Sequence, residues 1–187
     1  MKGFNFEKNL NHQSHAVDST IGVFLNIPLV QPTEADKNYI NPAFDFQTGN
    51  TYPNNIRTIR ENNGGISEKI KRDSNIIDIM METGTGKTYT YTKTIFELNK
   101  QYGIFKFIVV VPTLSIKAGT IDFLKSDSSR EHFKEQYGKT LHLHVVESLK
   151  NGKSKKSYIP PAVTSKPEKK DSDMKIDKTT YKDKEEN

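Results

Sequence analysis

A chain of 187 residues with no cysteine and no tryptophan excludes disulfide frameworks and thiolate metal centres. No apolar run is long enough for a bilayer span or a signal peptide, so a soluble, cytoplasmic protein with no membrane partner is expected. The formal charge of +5 sits at one end: residues 150–187 hold 11 Lys against 7 acids, whereas residues 1–149 hold 17 basic against 16 acidic side chains, so net charge is no argument for DNA binding by the folded part.

In chain order, residues 6–24 carry Leu10, Ala16, Val17, Ile21 and Phe24 at helix-like spacing, which predicts an amphipathic helix. Residues 28–65 are rich in Asn, Pro, Thr and Gly with scattered aromatics, the pattern of a long irregular insertion or short helices. Three apolar runs follow, at residues 76–80, 105–111 and 141–146, and all read as strands. Between the first two, residues 87–102 predict a crossover helix ending at Gly103. Further helices are predicted over residues 115–124 and 128–137. Alternation of this kind implies an α/β fold with a parallel sheet and right-handed crossovers. After Val163 only Met174, Ile176 and Tyr181 are large and apolar, so a disordered tail is expected. His12/His15 and His142/His144 lack a third ligand at metal spacing and read as structural.

The chemistry concentrates at residues 81–88, Met-Glu-Thr-Gly-Thr-Gly-Lys-Thr, between the first strand and the crossover helix. Glycines let backbone N–H groups close on phosphate oxygens, a lysine reaches the β and γ phosphates, and a threonine hydroxyl serves Mg²⁺. Thr83, Gly84, Thr85, Gly86, Lys87 and Thr88 are therefore the candidate residues for ATP, with Thr88 on the metal. Glu82 and Thr83 shape the loop and take no catalytic part. Met81 departs from the pattern by standing where a small residue usually opens it. A small nucleotide kinase would share the loop but needs acceptor-site and lid arginines, and residues 89–187 contain only Arg130.

Four pieces then fall in order: Phe4-Asn5-Phe6-Glu7-Lys8-Asn9-Leu10 with His12-Gln13 and Ala16-Val17; Ile77-Asp78-Ile79-Met80 with the loop; residues 106–113 through Lys117-Ala118-Gly119; and Gly152-Lys153-Ser154-Lys155-Lys156 before Pro160-Pro161-Ala162-Val163. Together, over roughly residues 1–163, they resemble the restriction (Res) subunit of type III restriction-modification enzymes, a superfamily 2 helicase-like ATPase. The resemblance implies an incomplete RecA-like P-loop domain at residues 75–150, preceded by residues 1–74 with an adenine-side glutamine motif; the charged tail at 151–187 departs from the family after Val163, where further strands would be expected. It places Gln13 where an amide pairs with the adenine edge and favours ATP over GTP. It places Thr113, Ser115 and Lys117 against the backbone of double-stranded DNA, as contacts that position without reading sequence. For these three the competing reading is a strand exit with a capping serine. A methyltransferase (Mod) subunit is the implied partner.

Hydrolysis in this class needs an acidic pair at the end of a further apolar strand. After Val146 no apolar run of four or more precedes an Asp-Glu pair, and the second ATPase lobe and nuclease domain are not found. The expectation is a truncated motor segment that binds ATP weakly without useful hydrolysis. The alternative is a nonenzymatic ATP- or DNA-binding interaction module derived from a helicase-like protein.

Overall fold

A computed structural model describes residue 7 and residues 10–47, 49–65 and 76–146. The chain divides into two units, Met1–Glu147 and Ser148–Asn187. The second lies outside the described residues, as does the tail expected to be disordered.

Helix α1, Asn11–Gly22, buries Gln13, Val17, Thr20 and Ile21. Their spacing of three and four puts them on one face. That face packs along helix α3, Lys87–Tyr102. Beyond α1 the chain forms β1, Leu29–Val30, which pairs antiparallel with β2, Ala43–Phe44, in the register Leu29 to Phe44 and Val30 to Ala43. Helix α2, Thr51–Asn62, then returns against α1. Its Asn55 amide donates to the carbonyls of Val23 and Leu25, at 3.0 and 2.7 Å, tying α2 to the exit of α1. Residues 28–65 thus realise the short-helix form of the expected insertion, with a two-stranded ribbon that composition does not announce.

Val23, Ile27, Tyr52 and Ile56 form a first buried core, with Phe24, Phe44, Phe46, Ile59 and Ile77 packed on it. Phe24 stacks on Phe44 at 4.6 Å, and Tyr102 from the end of α3 meets Phe44 edge-on at 4.9 Å. Edge-on and offset ring pairs of this kind exploit the aromatic quadrupole as well as burial.

The second core lies on another face of α3. Helix α4, Leu114–Lys125, and helix α5, Asp127–Tyr137, follow one another with Ser126 between them. Phe123 and Phe133 join Tyr89 and Phe96 of α3 in one buried cluster. The Tyr89 hydroxyl hydrogen-bonds His132 Nε2 at 3.0 Å, and the Tyr137 hydroxyl donates to Glu97 Oε1 at 2.8 Å. Burial, then the Glu97 carboxylate, push the Tyr137 phenol pKa up, so this donor stays protonated across the ordinary pH range.

The predicted helices are borne out, α3 to the residue at its glycine stop: Gly103 takes φ +72° and its N–H bonds the Asn99 carbonyl. The strands are a different matter. Residues 76–80, 105–111 and 141–146 are extended, but among the described residues the one ladder is β1–β2. No parallel pairing joins the three runs. Their side chains are correspondingly open, with Met80 100%, Ile108 92% and Val110 86% exposed. A parallel strand needs neighbours on its edges and cover on both faces, and here some edge groups are taken by side chains instead. Asn41 Oδ1 accepts from the N–H groups of Phe105 and Lys106 at 3.0 and 2.9 Å, while its amide donates to the Lys106 carbonyl at 2.8 Å. One side chain therefore does the work of a strand partner. Asn41→Ala should lower stability by about 1–2 kcal/mol, towards the low end because the freed groups reach water; urea denaturation measures it, and an unchanged midpoint would remove this role.

Among the described residues no helix is long and apolar enough to cross a membrane.

Candidate functional site

The loop after residues 76–80 turns twice through backbone conformations that favour glycine. Gly84 has φ +83° and Gly86 φ +85°, a region where an L side chain crowds its own carbonyl. Gly86 is also the residue before α3. Its carbonyl accepts from the Thr90 N–H at 3.0 Å and the Thr90 hydroxyl at 3.2 Å. The first N–H groups of α3, beginning with Lys87 and Thr88, have no intrahelical acceptor. No side chain caps this end, whereas Thr113 caps α4 and Ser126 caps α5. Uncapped N–H groups at the positive end of a sixteen-residue helix are a ready anion receptor.

Two sets of hydrogen bonds shape the loop. From within, the Glu82 carbonyl accepts from the Thr85 hydroxyl and from Lys87 Nζ, both at 2.7 Å. The ammonium thus lies folded on its own loop and exposed to exchange. From α1, the Gln13 amide donates to the Thr85 carbonyl at 3.0 Å, and His12 Nε2 reaches the same oxygen at 3.0 Å. Gln13 is buried, and a Cβ built on Gly86 would fall 2.3 Å from its Nε2. Only glycine admits that approach.

Sequence reasoning grouped Gln13 with Thr83, Gly84, Thr85, Gly86, Lys87 and Thr88, and the fold brings Gln13 onto this loop from 72 residues away. Its NH₂ carries one bond to Thr85, which leaves one N–H and the carbonyl oxygen of the amide for another partner. Thr88 is half-buried in the first turn of α3, and its backbone carbonyl accepts from Thr92 Oγ1 at 2.7 Å. Among the described residues no cluster of three or more His, Cys, Asp or Glu could hold a metal ion. A Mg²⁺ ion here would depend on the Thr88 hydroxyl, nucleotide phosphates and water, which is how this ion is commonly held.

Thr113, Ser115 and Lys117 sit together at the start of α4. Thr113 Oγ1 accepts from the Ile116 N–H at 3.2 Å, so the cap is the threonine and not a serine. Ser115 is exposed, and Lys117 Nζ donates to the Val146 carbonyl at 2.5 Å. Leu114 and Ile116 are exposed in the same turn.

Two features escaped sequence reasoning. One is His12, whose only signal is its place beside Gln13. The other is a cavity of about 850 Å³ between α1, α2 and residues 76–82, lined by His12, Arg60, Asp78 and Glu82 among aliphatic side chains.

Comparison with known proteins shows the family. Residues 11–185 match the family described as type III restriction enzyme, res subunit. The chain is 52% identical over 166 residues to the Res subunit of the type III restriction-modification enzyme EcoPI of Escherichia phage P1. It is 51% identical over 166 residues to that of EcoP15I of Escherichia coli. Both alignments cover 87% of this chain, which spans 17% of the length of each relative. The StyLTI Res subunit of Salmonella typhimurium is 38% identical over 134 residues, covering 71% of this chain and 11% of the relative. The chain belongs to the family of type III restriction enzyme Res subunits, as part of its helicase-like domain.

Proposed function

We propose that this chain is the ATP-gripping, N-terminal part of the motor of a type III restriction endonuclease subunit. The observation that carries the reading is the loop with Gly84 and Gly86 at positive φ, delivering Lys87 to the uncapped N-terminus of α3. Residues 83–88 wrap the phosphates, Lys87 leaves the Glu82 carbonyl for a phosphate oxygen, and Thr88 meets Mg²⁺. Gln13 uses its remaining N–H and oxygen on the adenine edge. Thr113, Ser115 and Lys117 contact the backbone of double-stranded DNA, and a methyltransferase (Mod) subunit supplies recognition of the site. Work of this kind belongs in the cytoplasm, beside the DNA.

The same reading makes residues 76–80, 105–111 and 141–146 neighbouring strands of a RecA-like parallel sheet within residues 75–150, after a first segment at 1–74 and before a charged tail at 151–187. The exposure of Ile108, Val110 and Val146 supports it, because aliphatic side chains this open suit a surface that further strands and helices cover.

Calorimetric titration tests the proposal. ATP with Mg²⁺ should bind weakly and GTP more weakly still, with phosphate release near background, since no acidic pair follows an apolar run after Val146. Absence of any ATP heat at millimolar nucleotide would end the reading. Sustained phosphate release would instead make the chain an ATPase in its own right.

A further inference from the structure

We propose that His12 is a positioning residue of the phosphate loop, which fixes the Thr85–Gly86 peptide so that the Gly86 N–H faces a bound polyphosphate. This rests on the ATP reading above. The argument begins with the planarity of a trans peptide, in which the carbonyl of one residue and the N–H of the next point in opposite directions. Whatever holds the Thr85 carbonyl therefore also aims the Gly86 N–H. Two donors from α1 hold it, His12 Nε2 and Gln13 Nε2, each at 3.0 Å. With the carbonyl drawn toward α1, the N–H turns away from α1 and joins the open N–H groups of Lys87 and Thr88 at the head of α3.

Glycine after Thr85 makes this peptide easy to rotate, because a flip changes ψ of Thr85 and φ of Gly86, and Gly86 passes through φ values of either sign at little cost. Within the loop the side chains of Thr85 and Lys87 do not oppose a flip: Thr85 Oγ1 and Lys87 Nζ both bond the Glu82 carbonyl, three peptide groups further back. The tether from α1 is what selects one orientation. Gln13 alone provides one bond and, on the proposed function, shares its amide with a base. His12 has no such second task, and its bond survives while Gln13 engages nucleotide. A carbonyl oxygen only accepts, so His12 carries its proton on Nε2 and is either that neutral tautomer or the imidazolium.

Calorimetry with two probes, ATP with Mg²⁺ and inorganic tripolyphosphate, tests the assignment on the whole chain. His12→Ala should weaken both by about five- to tenfold, because the phosphate grip and not the base is affected. His12→Gln, whose amide Nε2 can occupy nearly the same position as the imidazole Nε2, should recover most of the loss. The Gly86 amide resonance should shift in His12→Ala and return towards wild type in His12→Gln. Unchanged affinity in His12→Ala, an equal loss in both variants, or an unmoved Gly86 amide each overturns the proposal; the resonance can be compared in His12→Gln alone should the alanine variant fold poorly. Lys87→Ala separates the two levels. If it abolishes binding while His12→Ala is silent, only the positioning role falls; if it binds like wild type, or wild type binds neither probe, the ATP reading falls and takes this role with it.

Discussion

Lys87→Ala should abolish detectable nucleotide binding while leaving the fold intact. Lys87 Nζ has one hydrogen bond within the loop, to the exposed carbonyl of Glu82 at 2.7 Å, so its removal costs the free protein little. In the bound state the same ammonium would meet two phosphate groups at once, and truncating one member of such a charged, hydrogen-bonded set costs about 2–5 kcal/mol. A weak binder cannot absorb that loss. Calorimetry reads the affinity, and circular dichroism with thermal melting verifies that the helices survive. Wild-type affinity in the variant would sink the assignment of Lys87 to phosphate, and with it the central claim about residues 83–88.

Phe133→Ala is expected to be the most damaging of the core truncations. Phe133 is 2% exposed, stacks on Phe96 at 5.0 Å and meets Tyr89 at 5.4 Å and His132 at 5.2 Å. Emptying that site removes the transfer energy of a phenyl ring and leaves a cavity among rigid rings that close it poorly. The cost of such a change is about 3–5 kcal/mol, a large share of the 5–15 kcal/mol typical of a domain. Urea denaturation followed by far-UV circular dichroism should show the midpoint falling steeply. Phe133→Leu, which retains most of the volume, should cost markedly less. A loss below about 1 kcal/mol in the alanine variant would mean that α5 is not held by this cluster.

What could be read from sequence was local chemistry. Gly86 and Gly103 bracket α3 because left-handed backbone at each end demands glycine at a fixed place. The ends of α4 and α5 fall within a residue or two of expectation for the same reason: Thr113, Ser126 and Gly138 act on their own neighbours. Strand pairing is not local, and apolar runs at 76–80, 105–111 and 141–146 predict only that a segment wants cover. Asn41 and Asn55 organise much of residues 28–65 through contacts to backbone 30 to 65 residues away, and polar side chains with distant partners leave no period to detect. In the candidate site, the loop is legible because the pattern of glycine, lysine and threonine that suits phosphate is confined to a few positions. The bond from His12 to Thr85 spans 73 residues and could only be seen once α1 was laid against α3.

Helix α3 connects the phosphate loop to both hydrophobic cores, and that has a mechanical consequence. Sixteen residues at about 1.5 Å each make a rod of roughly 24 Å, with Gly86 at one end and the Tyr102 ring against Phe44 at the other. Along its length Thr90, Thr92 and Thr94 bond back to carbonyls four residues earlier, while Tyr89 and Glu97 bond His132 and Tyr137 of α5 and Tyr91 bonds Thr120 of α4. A helix gripped by ring faces and riveted by these bonds is held to α4 and α5 as one body. A displacement of Gly86 along the axis of α3 would then carry α4 and α5 with it, and not the Tyr102 ring alone.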